Sequence, residues 1–374
     1  MFKTYAVISF GNYETKILIS NFINGKIFPV YKSSFLTKNC FSNSVIVDKE
    51  LLTKILSDQI KRIPISLDKT ILIFNLPIKK LNIKDNVSNE IIFKNTLTHK
   101  KWDEILKNTM VNKSSKKLLE LYSKCFLVRI NSNNYWPIPF NKYVEKISYT
   151  SRHYLVDRDN MEEYFKIANE LKLNVKLFSC DSLVISHLFG NFERKRKLLL
   201  NIGHSETSFE LYDNMILTYQ MTCPFGIKNL TSTICESANI DEITSIELLK
   251  IYRNLSPIDN DLPLVNHFKE RFLDYSQTKI NDISALITSW IIKLINHINS
   301  HIKFFLEKKI EIDEIYIYSS TNIFNSWIEF IKKRLVKFSD VICLESKYIG
   351  VSESKFLSLI ATMLHFDKEY KEYK

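Results

Sequence analysis

The chain has 374 residues, 45% of them hydrophobic and 25% charged, with a formal net charge of +11 and a pI near 9.1. That composition excludes a disordered chain, and the length argues for two lobes, because a single core stops growing at roughly 250–300 residues. The lysines are spread along the whole sequence, which argues against a dedicated nucleic-acid face, and the six cysteines include no CxxC pair, which points to reduced, mostly buried thiols in a cytosolic protein.

The opening Met1–Phe10 is too short an apolar stretch for a secretion signal. Ala6–Phe10 reads as a strand, Gly11-Asn12 as a hairpin turn, and Thr15–Ser20 as a second strand. Asn24-Gly25 turns the chain into a third strand at Ile27–Tyr31, which completes an antiparallel meander. Asp48 caps a helix over Lys49–Lys61, and Thr70–Leu76 is a buried strand.

Residues 79–155 change character, with weaker strands, a polar helical stretch from Lys101 to Lys124 and an extended segment at Asn131–Pro139. They read as an inserted subdomain. A helix at Asn160–Leu171, a strand at Val175–Ser179 and a helix at Asp181–Leu188 follow.

A second meander begins after the basic link Glu193–Lys197: Leu198–Ile202, the turn Gly203-His204, Ser208–Tyr212, the turn Asp213-Asn214 and Met215–Thr222. It repeats the pattern of residues 5–31 about 195 residues later, the sign of an internal duplication. Helices are predicted at Ile227–Ser237, Ile243–Arg253, Ile280–Lys308, Trp327–Val336 and Lys355–Leu364, with a late strand at Ile315–Tyr318. The long segment Ile280–Phe305 is too interrupted by polar residues to read as a membrane span.

Two meanders that open two duplicated lobes, each with a hairpin turn, resemble the ground plan of the actin–Hsp70–sugar kinase superfamily. Within it the ordered motifs are most similar to the bacterial cell-division family FtsA. The first phosphate loop of that family, Asp-Ile-Gly-Thr with a following lysine, matches Ser9-Phe10-Gly11-Asn12 and Lys16. The second, Asp-Ile-Gly-Gly-Gly-Thr-Thr-Asp, matches Asn201-Ile202-Gly203-His204-Ser205-Glu206-Thr207-Ser208. The segment that follows resembles Tyr212–Tyr219, and Ile-Pro-x-Gly-Gly resembles Cys223-Pro224-Phe225-Gly226-Ile227. The Ala-Glu-x-x-Lys helix corresponds to Ile246–Lys250, and the adenosine turn to Tyr318-Ser319-Ser320-Thr321.

The resemblance implies an α/β, actin-like two-lobe fold with duplicated ribonuclease H-like sheets, flanking helices and an FtsA-type small subdomain. The boundaries it gives are 1–78 with 156–192 for lobe I, 79–155 for the insertion, 193–225 with 309–366 for lobe II, 226–308 for a helical subdomain, and 367–374 for a tail. It implies ATP, with Mg2+ when bound, held by Gly11, Asn12, Lys16, Gly203, His204, Thr207, Gly226, Glu247, Lys250, Ser319 and Ser320. In the family, backbone N–H groups of both turns hold the phosphates, and acids at the strand ends position metal and water.

Here Ser9, Asn201 and Ser208 replace three of those acids, and His204 and Ser205 add side chains to the second loop. The expectation is a pseudo-ATPase that keeps weak nucleotide binding. The family further implies binding of the FtsZ C-terminal peptide, self-association, and a cytoplasmic location at the inner face of the membrane at the division site. The tail His365–Lys374 offers too little apolar surface for stable membrane insertion, which argues against peripheral tethering by that segment. The alternatives are an active actin-like ATPase, a scaffold of the pilus PilM type, and a basic nucleic-acid-binding protein, although no specific nucleic acid is implied. His297 and His301, spaced i,i+4, lack a third ligand and read as a core-edge pair rather than a metal site.

Overall fold

The computed structural model describes residues 2–78, 80–110, 112–135, 138–189, 195–252, 280–319, Trp327, Ile331, 334–335, 341–344 and 354–372. They divide into two compact units, Met1–His187 with Leu359–Lys374, and Leu188–Ser358.

In the first unit β1 (Phe2–Ser9), β2 (Glu14–Ile23) and β3 (Lys26–Leu36) form the expected meander. The β2–β3 turn is the short type that Asn-Gly favours, with Asn24 at φ 50° and Gly25 at φ 82°. A two-residue hairpin of β4 (Phe41–Ser42) and β5 (Val45–Ile46) precedes α1 (Lys49–Ile60). Asp48 Oδ1 accepts from Leu51 N at 2.9 Å, as its capping role requires. The strand β6 (Ile71–Leu76) returns parallel to β1.

The inserted segment builds β7 (Asn82–Val87), β8 (Ile91–Thr96), α2 (His99–Thr109), β9 (Leu118–Ile130), β10 (Asn133–Tyr135) and β11 (Tyr143–Asp157). The sheet runs β10-β9-β11-β7, with β8 also on β11. It has its own core of Leu97, Trp102, Val128, Val144, Ile147 and Tyr149. The helix predicted over 101–124 is corrected: it stops at Thr109, and a long strand begins at Leu118. The reason is local and tertiary at once. Ser114 and Ser115 turn the chain, accepting from Glu120 N and Leu118 N, and β11 then supplies a hydrogen-bonding partner along the whole of β9. Pairing overrides the weak helical propensity of the segment.

After α3 (Arg158–Glu170) and β12 (Val175–Cys180), the short α4 (Asp181–Val184) closes this part of the unit. The sheet order is β12-β6-β1-β2-β3, with the two outer crossovers parallel.

The second unit repeats this plan. Its strands are β13 (Arg196–Ile202), β14 (Thr207–Asp213) and β15 (Ile216–Cys223), then β16 (Glu314–Ser319) and β17 (Val341–Cys343). The order β15-β14-β13-β16-β17 keeps the same sense for every pair as in the first sheet. Duplication read from turn spacing is therefore duplication of topology. Between β15 and β16 lie α5 (Ile227–Ala238), α6 (Glu242–Tyr252) and α7 (Ile280–Glu307), which cover one face through Ile234, Leu249, Ile291, Leu294, Ile298 and Phe305. The helix predicted at Trp327–Val336 lies mostly outside the described residues.

The last helix, α8 (Leu357–Glu372), changes the expected partition. The resemblance places residues up to 366 in the second lobe and 367–374 in a tail. Instead Leu359–Lys374 belongs with the first unit. Lys3 pairs with Asp367 at 3.0 Å, Tyr5 donates to the same carboxylate at 3.4 Å, and His365 Nδ1 lies 2.8 Å from His187 Nε2. The fixing residues are far apart in sequence, which is why no local pattern revealed the docking. Among the described residues, no helix is long and apolar enough to cross a membrane.

Cys40, Cys125 and Cys180 are buried free thiols. Burial, aided by the nearby Asp48 carboxylate, pushes Cys40 up to about 11. Burial pushes Cys125 up to about 12, against a backbone contact to Leu127 and the charge of Lys124. At pH 8 these shifts leave Cys40 roughly a hundredfold less thiolate than an exposed cysteine, and Cys125 less still. Pulse alkylation of the native protein with iodoacetamide, read by mass spectrometry, should label both far more slowly than after denaturation; equal rates would contradict their burial.

Candidate functional site

Each unit carries one glycine hairpin at the carboxyl end of its first strand, the position where open α/β sheets gather ligands. In the first unit the turn Phe10–Tyr13 is held from three sides. Phe10 N donates to Asn75 O at 2.9 Å, and Thr37 N donates to Tyr13 O at 2.9 Å. Thr37 Oγ1 donates to Gly11 O at 3.3 Å and lies 3.1 Å from Thr15 Oγ1. Asn12 spends its side-chain amide on the neighbouring hairpin, accepting from Ser44 N at 2.8 Å and donating to Ser44 Oγ at 3.4 Å. Its side chain is thus a structural tie. A Cβ on Gly11 would sit 2.7 Å from Glu14 O, so this glycine is required by the chain's own turn, before any ligand is considered.

Lys16 stands opposite Ser9 in the β1–β2 register and is only 7% exposed. Its Nζ lies 3.4 Å from Glu14 Oε1. Beside it, Asn75 Nδ2 donates to Ser9 Oγ at 3.3 Å and to Asp181 Oδ1, while Asn75 Oδ1 is buried without a hydrogen bond. Ser9, Asn75 and Asp181 come from the ends of β1 and β6 and the start of α4. Sequence reasoning assigned no role to Asn75 or Asp181. Their only signal was position, each at or just past the end of a predicted strand.

In the second unit the turn Gly203–Glu206 closes through Gly203 N to Glu206 O at 2.9 Å. The start of α5 clamps it: Ile227 N donates to Gly203 O at 3.2 Å and Lys228 N to His204 O at 2.7 Å. Thr207 Oγ1 donates to Phe225 O at 2.6 Å, and Gly226 N to Asn229 Oδ1 at 2.8 Å. Gly226 therefore serves the close approach of helix to loop. His204 Nε2 lies 3.6 Å from Glu242 Oε1, at the start of α6. Ser208 Oγ donates to Glu210 Oε1 at 2.8 Å and Tyr212 OH to Glu210 Oε2 at 2.7 Å, so a buried acid that the sequence reading passed over anchors this strand.

Ser319 ends β16 next to Ile202 and is buried, so the structure brings Gly203, His204, Thr207, Gly226 and Ser319 to one end of one sheet. Glu247 lies on an exposed face of α6, and Lys250 is in the same helix. Ser320 lies outside the described residues.

His297 and His301 are packing residues: His301 lies 4.0 Å from the Phe209 ring, and His297 lies 5.1 Å from Phe225. Burial, together with the neighbouring His297, holds His301 below the usual histidine range. Among the described residues no group of three or more His, Cys, Asp or Glu side chains is arranged to hold a metal.

The residues present fit a nucleotide in part. The first loop keeps a nearly buried ammonium at Lys16, a carboxylate at Asp181 and an orphaned acceptor at Asn75 Oδ1, a donor set suited to phosphate oxygens and a hydrated cation. The second loop keeps its hairpin and helix clamp but adds the side chains of His204 and Ser205. When bound, ATP would supply phosphate oxygens and a phosphoanhydride bond. In that case Lys16 would pair with phosphate and Asp181 would hold a hydrated cation or a water.

No family model and no curated protein matches this sequence. Solved structures do. The PilM–PilN type IV pilus biogenesis complex matches with TM-score 0.61 and 9% identity, over 96% of this chain and 98% of that one. MreB5 of Spiroplasma citri bound to AMPPNP matches with TM-score 0.53 and 9% identity, over 99% and 98%. The ethanolamine utilization protein EutJ of Carboxydothermus hydrogenoformans matches with TM-score 0.52 and 10% identity, over 97% and 89%. Two sheets of identical topology, each with a glycine hairpin at the end of its first strand, and these full-length likenesses give one conclusion: the chain has the actin-like ATPase fold.

Proposed function

We propose that this chain is an FtsA-like division scaffold that binds the C-terminal peptide of FtsZ and helps organise the division ring at the inner face of the membrane. In this reading it retains weak ATP binding and has lost efficient hydrolysis. The observation that carries it is the pair of phosphate-loop hairpins kept in equivalent places while Ser9, Asn201 and Ser208 stand where acids are needed. Lys16 and Asp181 support residual binding; the thinned acid set argues against rapid turnover. The ordered FtsA-like motif series supports the division role.

A second reading, a PilM-type scaffold, is favoured by the likeness to the PilM–PilN complex over nearly the whole chain. Its partner would be a pilus-assembly protein of the PilN kind.

Fluorescence anisotropy separates the two. Saturable micromolar binding of an FtsZ C-terminal peptide supports the first, whereas binding only to a PilN-type peptide supports the second and overturns the first. For the nucleotide part, Lys16→Ala should weaken MgATP binding by roughly tenfold, about 1.4 kcal/mol. Phosphate release should stay at background in wild type. Robust turnover that Lys16→Ala abolishes would replace the scaffold with an active ATPase.

A further inference from the structure

Both hairpins carry the same pattern, Gly-x-x-Glu-Thr, at Gly11–Thr15 and Gly203–Thr207. In both, the basic side chain nearest the turn is already engaged by a carboxylate. Lys16 Nζ lies 3.4 Å from Glu14 Oε1, with the two side chains 8% and 23% exposed. His204 Nε2 lies 3.6 Å from Glu242 Oε1, with 11% and 32% exposed. The first pair sits two residues apart on one face of β2, and the second joins a loop to the first residue of α6.

A phosphate loop attracts its ligand through unsatisfied donors and positive potential. A carboxylate within ion-pair distance of the loop's basic side chain removes much of that potential, and partial burial weakens, without abolishing, the screening by water and salt. An incoming polyphosphate must then displace the carboxylate or tolerate its charge. The cost falls on highly charged ligands and spares neutral ones.

We propose that Glu14 and Glu242 are affinity-determining residues of the nucleotide loops: each sets a carboxylate beside the basic side chain of its own hairpin, neutralising the Lys16 ammonium in the first, and holds polyphosphate binding weak. The inference rests on the nucleotide-binding part of the reading above. The loops are competent for phosphate and are occupied by the chain's own acids.

The test is calorimetric titration at low salt with MgATP and, separately, with inorganic tripolyphosphate. The proteins are wild type, Glu14→Gln, Glu242→Gln, Lys16→Ala and the double variant Glu14→Gln/Lys16→Ala. Glu14→Gln should bind both ligands about tenfold more tightly, and Glu242→Gln about threefold, with both gains shrinking at high salt. The double variant should bind no better than Lys16→Ala alone. Wild-type binding with no gain in either glutamine variant overturns the inference and leaves the nucleotide reading standing. Weaker binding by Glu14→Gln also overturns it, since Glu14 would then be holding the ligand or its cation. No binding by any variant at millimolar ligand overturns both. Should Glu14→Gln disturb the β1–β2 turn, seen as a lowered melting temperature, Glu242→Gln decides the matter by itself.

Discussion

Replacing Gly226 by alanine should destabilise the second unit by about 3 kcal/mol or more, the range of forced overpacking against groups that cannot move. A Cβ there would lie 2.6 Å from Glu206 N, 2.6 Å from His204 O and 2.7 Å from Ser205 C. All three atoms are backbone of the second hairpin, so relief requires α5 to withdraw. That withdrawal breaks the bonds from Ile227 N to Gly203 O and from Lys228 N to His204 O. Chemical denaturation followed by circular dichroism gives the loss. Gly25→Asn is the control: nothing lies within 4 Å of its Cβ position, and asparagine tolerates φ of +82°. Its cost should stay below about 1 kcal/mol. A Gly226→Ala protein as stable as wild type would refute the tight seating of α5 on the loop.

The second large effect belongs to Glu314. Its carboxylate accepts from Lys195 Nζ at 2.9 Å and from Tyr316 OH at 3.0 Å, and lies 3.6 Å from Lys197 Nζ. Lys197 has a side chain only 4% exposed and also lies over the rings of Phe189 and Tyr316. Removing one partner of such a pair strands the other charge, so Glu314→Ala should cost about 3 kcal/mol. The double variant Lys197→Met/Glu314→Leu removes both charges and should recover stability to within about 1 kcal/mol of wild type. Equal losses in the single and double variants would mean that packing, not charge, explains the site.

The pH dependence follows from the same contacts. Burial alone would raise the Glu314 carboxyl, but the bonds from Lys195 and Tyr316 and the charge of Lys197 outweigh it and hold it below the usual glutamate range. A carboxyl lowered in the folded state adds stability above its unfolded value and loses it as pH falls through the folded one. Acid titration of wild type should therefore show a loss below the ordinary glutamate range that Glu314→Gln lacks.

The two meanders were legible because their information is local. Turn residues such as Asn24-Gly25 and Gly11 interrupt short apolar runs, and the order of turns recurs in the second half. Asp48, which accepts from a backbone N–H three residues ahead, was likewise readable as a helix start. The segment 101–124 was misread because a strand that depends on a distant partner carries a weak signal of its own, and the serine turn within it resembles ordinary polar helix surface.

The site shows the same division. Gly11, Gly203 and Gly226 were found by motif, yet the reason attached to them was incomplete: each is demanded first by a backbone atom of this chain a few ångströms away. Asn12 was expected at the phosphates and is tied to Ser44. Asp181 and Asn75 were passed over because residues 9, 75 and 181 meet only when β1, β6 and β12 lie side by side.

By itself the sequence determined the duplicated strand–turn–strand units and the positions of the glycine hairpins, since φ, turn chemistry and apolar alternation act over a few residues. Tertiary structure decided which acids and amides surround those hairpins, that α8 docks on the first unit, and that carboxylates hold Lys16 and His204. Those outcomes depend on distances between residues far apart in the chain or on side-chain placement in a packed setting, and no local pattern encodes them.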